Sequence, residues 1–166
     1  MIVQFLILVA MAHAENGVFP EKILLGQSTA VTGSNRSKAE ALTIGAKIYL
    51  DKVNKAGGIH GRKIEVKTLD DAYDPGRSVE NTEKLIKEDK VFAIFNSFGG
   101  AAGKAQHPLF ARFEVPSFGM STSPEELRTP VAKYVFFVRS SSLVELTEVI
   151  HAVKKREPIK TIATLY

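Results

Sequence analysis

Short apolar runs alternate with longer segments of helical periodicity from Ile23 onward, and this alternation limits the fold more than any other feature of the chain. Ile23-Leu24-Leu25-Gly26 is a compact apolar run and reads as a buried strand. Residues 27–36 are small and polar and read as a loop. Ser37 and Glu40 have capping-box spacing. They open a helix with Leu42, Ala46, Tyr49 and Val53 on one face. That helix stops at Ala56-Gly57-Gly58, where glycine accepts a left-handed cap conformation. Ile64, Val66 and Thr68 alternate with charged residues as a second strand. Asp74-Pro75 sets an N-cap before a proline at the first helical position, and Val79, Thr82, Leu85 and Ile86 mark the helical face that follows.

Val91–Phe95 is apolar throughout, as a central parallel strand covered on both sides should be. A helix from about Gly100 to Phe113 follows it. Val115–Phe118 reads as a fourth strand, Ser123-Pro124-Glu125-Glu126 as the capped start of a short helix, and Tyr134–Val138 as a fifth strand. Residues 142–156 read as a helix and Thr161–Tyr166 as a sixth strand. Strands that alternate with helices imply an α/β fold, a parallel sheet with helices on both faces. Ligands of such sheets sit beyond the carboxyl ends of the strands. The loops of interest are therefore 26–36, 70–74, 96–100 and 119–123.

The chain has 166 residues, enough for one domain or one with part of a second. Twenty-two Lys and Arg against 18 Asp and Glu leave a net charge of +4, but the basic residues are scattered. The densest group is Lys154-Lys155-Arg156, with no basic stripe and interleaved aromatics, so a nucleic-acid partner is not expected. The absence of cysteine excludes disulfides, thiol catalysis and thiolate metal sites. The opening MIVQFLILVAMAHA is apolar apart from Gln4 and ends in the small-x-small site Ala12-His13-Ala14. It reads as a secretory signal, residues 1–14, although no basic residue follows Met1. The other reading of this stretch is an apolar tail or a buried first strand. The sixth strand ends at the last residue, so the chain reads as cut off soon after a further α/β unit begins.

Enzymatic motifs fail by spacing. A phosphate-binding loop that ends in Gly103-Lys104 needs glycine at position 98 and a hydroxyl at 105; the chain has Phe98 and Ala105. The first strand-to-helix turn, Gly26 to Gly33, lacks the dinucleotide-binding spacing. Gly119-Met120-Ser121-Thr122-Ser123 approaches a nucleophile elbow, but Ser123 occupies the place of the second glycine. His13, His60, His107 and His151 are not spaced as metal ligands, and no cofactor is expected. Asp70, Asp71 and Asp74 do not follow a calcium-loop pattern, because Ala72 and Pro75 interrupt it. The simplest expectation is that Asp74 caps a helix while Asp70 and Asp71 are solvated.

The strand-end loops instead share one chemistry of hydroxyls, small residues and free amides: Gln27, Ser28, Thr29 and Thr32; Ser97, Gly99 and Gly100; Ser121, Thr122 and Ser123. Helix N-termini follow the second and third sets. Their first amides lack intrahelical partners and the helix dipole is positive there. Such a rim suits a carboxylate or similar small anion. It offers donors without a positioned base, which describes binding better than catalysis.

Three stretches carry a family resemblance: Ile23 to Gly33, Asn54-Lys-Ala-Gly-Gly-Ile-His-Gly-Arg-Lys63, and Leu69-Asp-Asp-Ala-Tyr-Asp-Pro75. Glu114-Val-Pro116, Gly119 to Thr122 and Tyr134-Val-Phe-Phe-Val-Arg139 fit the same pattern. Over residues 22–166 the chain resembles the N-terminal lobe of periplasmic substrate-binding proteins of the leucine/isoleucine/valine type, which feed ABC importers. The resemblance implies a type I periplasmic-binding fold of two Rossmann-like lobes that close on a ligand. It implies residues 15–139 as the first lobe and 140–166 as the crossover and start of a second. It also implies a periplasmic location and an ABC permease in the inner membrane as partner. A ligand, an amino acid or related organic acid, would meet Ser97, Phe98, Gly99 and Gly100 on one loop and Met120, Ser121 and Thr122 on the next. Thr122 matches a threonine important in branched-chain amino-acid binders. Ungapped counting sets Gly99-Gly100 at the place of their serine, with Ser97 slightly early. Phe98 stands where many relatives have a small residue, which leaves room for an aromatic or other organic acid. One lobe alone leaves a ligand open to water, so weak binding is expected. The alternatives are a sensory domain of the same fold in a regulator or receptor, and a hydrolase-like enzyme.

Overall fold

The computed structural model describes residues 15–156, together with 161 and 163. The secretory-signal and sixth-strand expectations lie outside the described residues. Among the described residues five strands form one parallel sheet in the order β2-β1-β3-β4-β5. They are β1 (Lys22–Thr29), β2 (Lys63–Asp70), β3 (Ala93–Phe95), β4 (Ser117–Met120) and β5 (Val135–Phe137). The helices are α1 (Arg36–Lys55), α2 (Pro75–Lys87), α3 (Gly100–Phe113) and α4 (Ser142–Arg156), and a short 3-10 turn spans Glu125–Leu127.

The sheet has helices on both faces, as the alternation implies. Gly26 of β1 lies against Leu85 of α2 and Ile94 of β3, whereas its neighbour Gln27 and the next residue of β3, Phe95, look toward α1. Side chains alternate across a strand, so consecutive residues serve opposite faces. The core lies on the α2–α3 side and consists of Leu85, Ile86, Val91, Ile94, Phe110, Val115, Met120 and Val135. Phe110, Leu85 and Ile94 are wholly buried. On the α1 side Phe95, Phe118 and Phe136 stand in register across β3, β4 and β5. Phe118 and Phe136 stack with centroids 4.9 Å apart, yet they remain 39% and 50% exposed.

Several local expectations are met for the stated reasons. Asp74 caps α2 by accepting a hydrogen bond from the Arg77 amide at 2.8 Å, and Pro75 is the first helical residue. Asn54, at the end of α1, donates to the Ile64 carbonyl and accepts from the Ile64 amide, both at 2.8 Å, which ties the helix to β2. Gly58 lies at φ 75° in the intervening turn, where a Cβ would fall 2.0 Å from the Arg62 carbonyl oxygen.

Others are corrected. The capping box of Ser37 and Glu40 does not form. Helix α1 begins at Arg36 after Asn35 with no side-chain cap, which places Ser37 inside the helix, and Glu40 pairs instead with Arg36 at 3.5 Å. Tyr49 is 66% exposed, because the packed stripe of α1 runs through Ala39, Leu42, Thr43, Ala46, Leu50 and Val53. Gln27, Ser28 and Thr29 belong to β1 rather than to a loop, since β2 pairs with them as far as Asp70. Ser123 does not cap the short turn, whose N-cap is Pro124. Strands β3 and β4 each begin two residues later than expected, and β5 is one residue shorter at each end.

Truncation of the most enclosed ring tests this core. Phe110→Ala is expected to lower the unfolding free energy by about 3–5 kcal/mol, read from urea denaturation followed by circular dichroism. The exposed Phe136→Ala is expected to cost far less in the same measurement.

Candidate functional site

Strands β3 and β4 are neighbours, so their carboxyl ends deliver two loops side by side. The pairing continues past the strands. The Ser121 amide donates to the Ser97 carbonyl at 2.8 Å, and the Gly99 amide donates to the Ser121 carbonyl at 3.2 Å. Phe98 and Ser121 thus form a parallel bridge beyond the sheet. Gly99 lies at φ 108° and ψ 145°, a conformation open essentially to glycine alone. A Cβ there would meet the Tyr73 ring at 2.7 Å.

Helix α3 starts immediately afterwards at Gly100, and Gly99 supplies no side-chain cap. The amides of Gly100, Ala101 and Ala102 therefore point out of the first turn without intrahelical acceptors. Thr122 faces this turn. Its Oγ1 lies 3.3 Å from where a Cβ on Gly103 would stand and 3.9 Å from one on Gly100. Thr122 is 2% exposed and Ser97 1%, and among the described residues the hydroxyl oxygen of each has no hydrogen-bond partner. A buried polar group left unpaired costs roughly 1–3 kcal/mol. The buried Thr122 hydroxyl and the uncapped start of α3 beside it form a small cradle of neutral donors, and the loop that bears Ser97 leads into it.

Not every residue expected at the rim reaches it with its side chain. Met120 is fully buried in the core cluster, because an irregularity between Phe118 and Met120, at Gly119 (φ 74°), alters the alternation of β4. It offers the site only its backbone. Phe98 is half-buried and packs on Tyr73, with ring centroids 5.9 Å apart at 41°. Ser121 is partly exposed, and its backbone is engaged on both sides. Gly100 and Thr122 are brought together as expected.

The aspartates after β2 are not solvated bystanders, which corrects the simplest reading of them. Asp70 accepts hydrogen bonds from the Thr32 hydroxyl at 2.6 Å and from the amides of Val31, Thr32 and Ala72 at 2.9, 3.1 and 2.9 Å. It thereby fastens the loop after β1 to the end of β2. The Thr32 hydroxyl above all, helped by these amides, holds its carboxyl at about 2, against 3.8 for an unperturbed group. Asp71 is 1% exposed and accepts from the Ser28 hydroxyl and the Tyr73 amide, each at 2.9 Å. Among the described residues no group of three His, Cys, Asp or Glu side chains stands together to hold a metal.

Sequence reasoning missed Tyr73, whose ring lies over Gly99, and Arg128, which donates to the Thr122 carbonyl at 2.8 Å. An aromatic two residues after the aspartate pair was a visible signal for the first. Nothing local marked the second. A separate cavity of about 230 Å³ lies under α1, lined by Gln27, Thr43, Leu50, Phe95 and Asn96 among others. It opens on the α1 face of the sheet and is not part of the cradle.

A parallel α/β lobe with open loops at adjacent strand ends is an architecture that solute-binding proteins share with other α/β folds. The chain belongs to the periplasmic binding protein family, whose model matches residues 22–166. It is 34% identical over 76 residues to an amino acid binding protein of Pseudomonas aeruginosa, an alignment that covers 46% of this chain and 20% of the relative. It is 35% identical over 77 residues to Leu/Ile/Val-binding protein homolog 1 of Brucella abortus, covering 45% and 21%. The matched region is thus about a fifth of the length of these curated relatives.

Among solved structures, a possible leucine/isoleucine/valine-binding protein from Rhodopirellula baltica superposes with a TM-score of 0.75 over 87% of this chain and 38% of its own. At 22% identity that likeness speaks for the fold. The branched-chain amino acid transporter substrate-binding protein LivJ from Streptococcus pneumoniae, in complex with isoleucine, gives 0.68 at 25% identity, over 73% of this chain and 34% of its own. A solute-binding protein of an ABC transporter from Rhodopseudomonas palustris, in complex with 3,4-dihydroxybenzoic acid, gives 0.61 at 26% identity, over 71% and 32%. The fold is that of the N-terminal lobe of type I periplasmic binding proteins.

The Asp70 bonds carry a pH signature. A carboxyl whose folded pKa is about 2 and whose unperturbed value is 3.8 adds stability that is complete above 3.8 and vanishes as pH falls toward 2. Thermal unfolding across that window is expected to show a shallower acid loss in Asp70→Asn than in the wild type. The variant starts from a lower melting temperature above pH 3.8, because its amide no longer accepts as a charged group.

Proposed function

We propose that this chain supplies the N-terminal ligand-binding lobe of an extracytoplasmic solute receptor that serves an ABC importer, and that its cradle holds the carboxylate of an amino acid or related organic acid. The observation that carries the reading is the buried, unpartnered Thr122 hydroxyl beside the uncapped start of α3, with a second such hydroxyl, Ser97, on the loop that leads into that helix. In this reading the amides of Gly100 and Ala101 and the Thr122 hydroxyl donate to the carboxylate. Ser97 supports the same side, Ser121 and Gly99 hold the loops in register, and Phe98 with Tyr73 forms an aromatic wall at the edge. Family membership supports the location outside the cytoplasm and the permease as partner. The relatives named for Leu/Ile/Val, isoleucine and 3,4-dihydroxybenzoic acid support the ligand class.

The family to which the chain belongs supports reading the site as a receptor. Capture by two lobes would bury the ligand from both sides. The single lobe therefore binds weakly, because it supplies one wall only.

Titration of the isotope-labelled chain with L-isoleucine and, separately, 3,4-dihydroxybenzoate tests this by amide chemical shifts. The expected response is confined to Gly100–Ala102 and Ser121–Thr122, saturates in the millimolar range or above, and is lost in Thr122→Val. A response to neither compound, or one centred on the cavity under α1, would sink the reading.

A further inference from the structure

Arg128 adds a side-chain link between two segments of the molecule, the loop after β4 and the root of α4. It follows the 3-10 turn, and its guanidinium stands 4.1 Å from the centroid of the Phe137 ring on β5. One terminal nitrogen donates to the Pro124 carbonyl at 2.9 Å. The other donates to the Thr122 carbonyl at 2.8 Å and to the Arg139 carbonyl at 2.7 Å. The first two acceptors belong to the loop that bears the buried Thr122 hydroxyl. The third belongs to the segment by which the chain leaves the sheet for α4.

That exit is itself fixed. The Ser142 amide donates to the Ser123 carbonyl at 3.0 Å. Ser141 is 2% exposed, and its hydroxyl accepts from the Val144 amide at 3.3 Å. The Arg139 guanidinium forks onto Glu145 at 2.7 and 2.5 Å, and the Ser140 hydroxyl adds a bond to the same carboxylate at 3.2 Å. Helix α4 buries none of its residues, so these few bonds at its start set its direction. The same guanidinium therefore holds the cradle loop and the root of α4.

We propose that Arg128 is a positioning residue that couples the placement of the Thr122 hydroxyl to the direction of α4. Occupancy of the cradle and the setting of the segment beyond the sheet then become one event. A planar guanidinium can stack on a ring while its fork reaches several carbonyls at fixed angles, whereas a lysine ammonium cannot do both. The functional meaning of the link rests on Thr122 being a ligand contact; the mechanical link rests on the contacts alone.

A perturbation placed at α4 and read at the cradle tests it. In the isotope-labelled full chain, Glu145→Gln releases the Arg139 side chain. The expected result is a shift of the Ser121–Ser123 amides together with those of residues 139–146. In an Arg128→Lys background the same change reaches residues 139–146, and the Ser121–Ser123 response is diminished to what the Ser142–Ser123 bond alone transmits, while the Ile94 and Phe110 resonances stay in place. Unmoved Ser121–Ser123 amides in the first experiment, or an undiminished response in the second, overturn the proposal.

Native-state hydrogen exchange of the unmodified chain gives an independent reading that survives a variant that fails to fold. The Arg128 and Ser142 amides are expected to open with the same denaturant dependence, and separate openings overturn the coupling. Absence of a shift with L-isoleucine or 3,4-dihydroxybenzoate while the coupling persists refutes the ligand reading alone. Binding that persists without the coupling refutes the role of Arg128 alone.

Discussion

The backbone of Gly99 is the point on which the site depends. Its positive φ lets its own amide turn onto the Ser121 carbonyl while the next residue begins α3. A side chain there would be strained in conformation and driven into the Tyr73 ring. With the glycine in place, two loops that leave adjacent parallel strands remain paired beyond the sheet, and the Thr122 hydroxyl is carried to the start of α3. Neither strand alone would do this, since β3 has three residues and β4 four.

The cradle and the aspartates after β2 divide their work by charge. Asp70 and Asp71 spend their acceptor capacity on neighbouring amides and hydroxyls, and so hold loops in place. The cradle keeps its donors unspent: the Thr122 hydroxyl and the first amides of α3. Neutral donors at a helix start suit an anion without a fixed counter-charge. Nearby full charges are used elsewhere. Lys104 pairs with Glu126 at the surface, and Arg128 faces backbone carbonyls.

Much of this was legible in the sequence because it rests on local rules. The alternation of strands and helices gave the parallel sheet, Asp74-Pro75 gave the start of α2, and Gly57-Gly58 gave the turn after α1. Ser97, Gly99, Gly100 and Thr122 could be placed on facing loops because strand ends are where an α/β sheet leaves its backbone open. What failed depended on tertiary partners. Ser37 and Glu40 matched a capping pattern, but the chain enters α1 earlier, at Arg36. Met120 was expected to meet the ligand alongside Ser121 and Thr122, and an irregularity at Gly119 sends its side chain into the core. Asp70 and Asp71 looked solvated because their donors, Thr32 and Ser28, lie some forty positions away in sequence. Arg128 gave no sign at all, since its acceptors are backbone carbonyls, which no side-chain pattern reveals.

The strand order also bears on how the chain is made. The middle of the sheet is reached out of turn: β1 pairs with β2 across one helix, but its other side waits for β3, which follows only after α2. As the polypeptide emerges from the ribosome, β1, α1 and β2 can associate first, and one flank of β1 then shows bare peptide groups until residues 93–95 arrive. Synthesis that stalls in that interval would leave a sticky ribbon, and an early encounter with a chaperone would suit such a nascent chain.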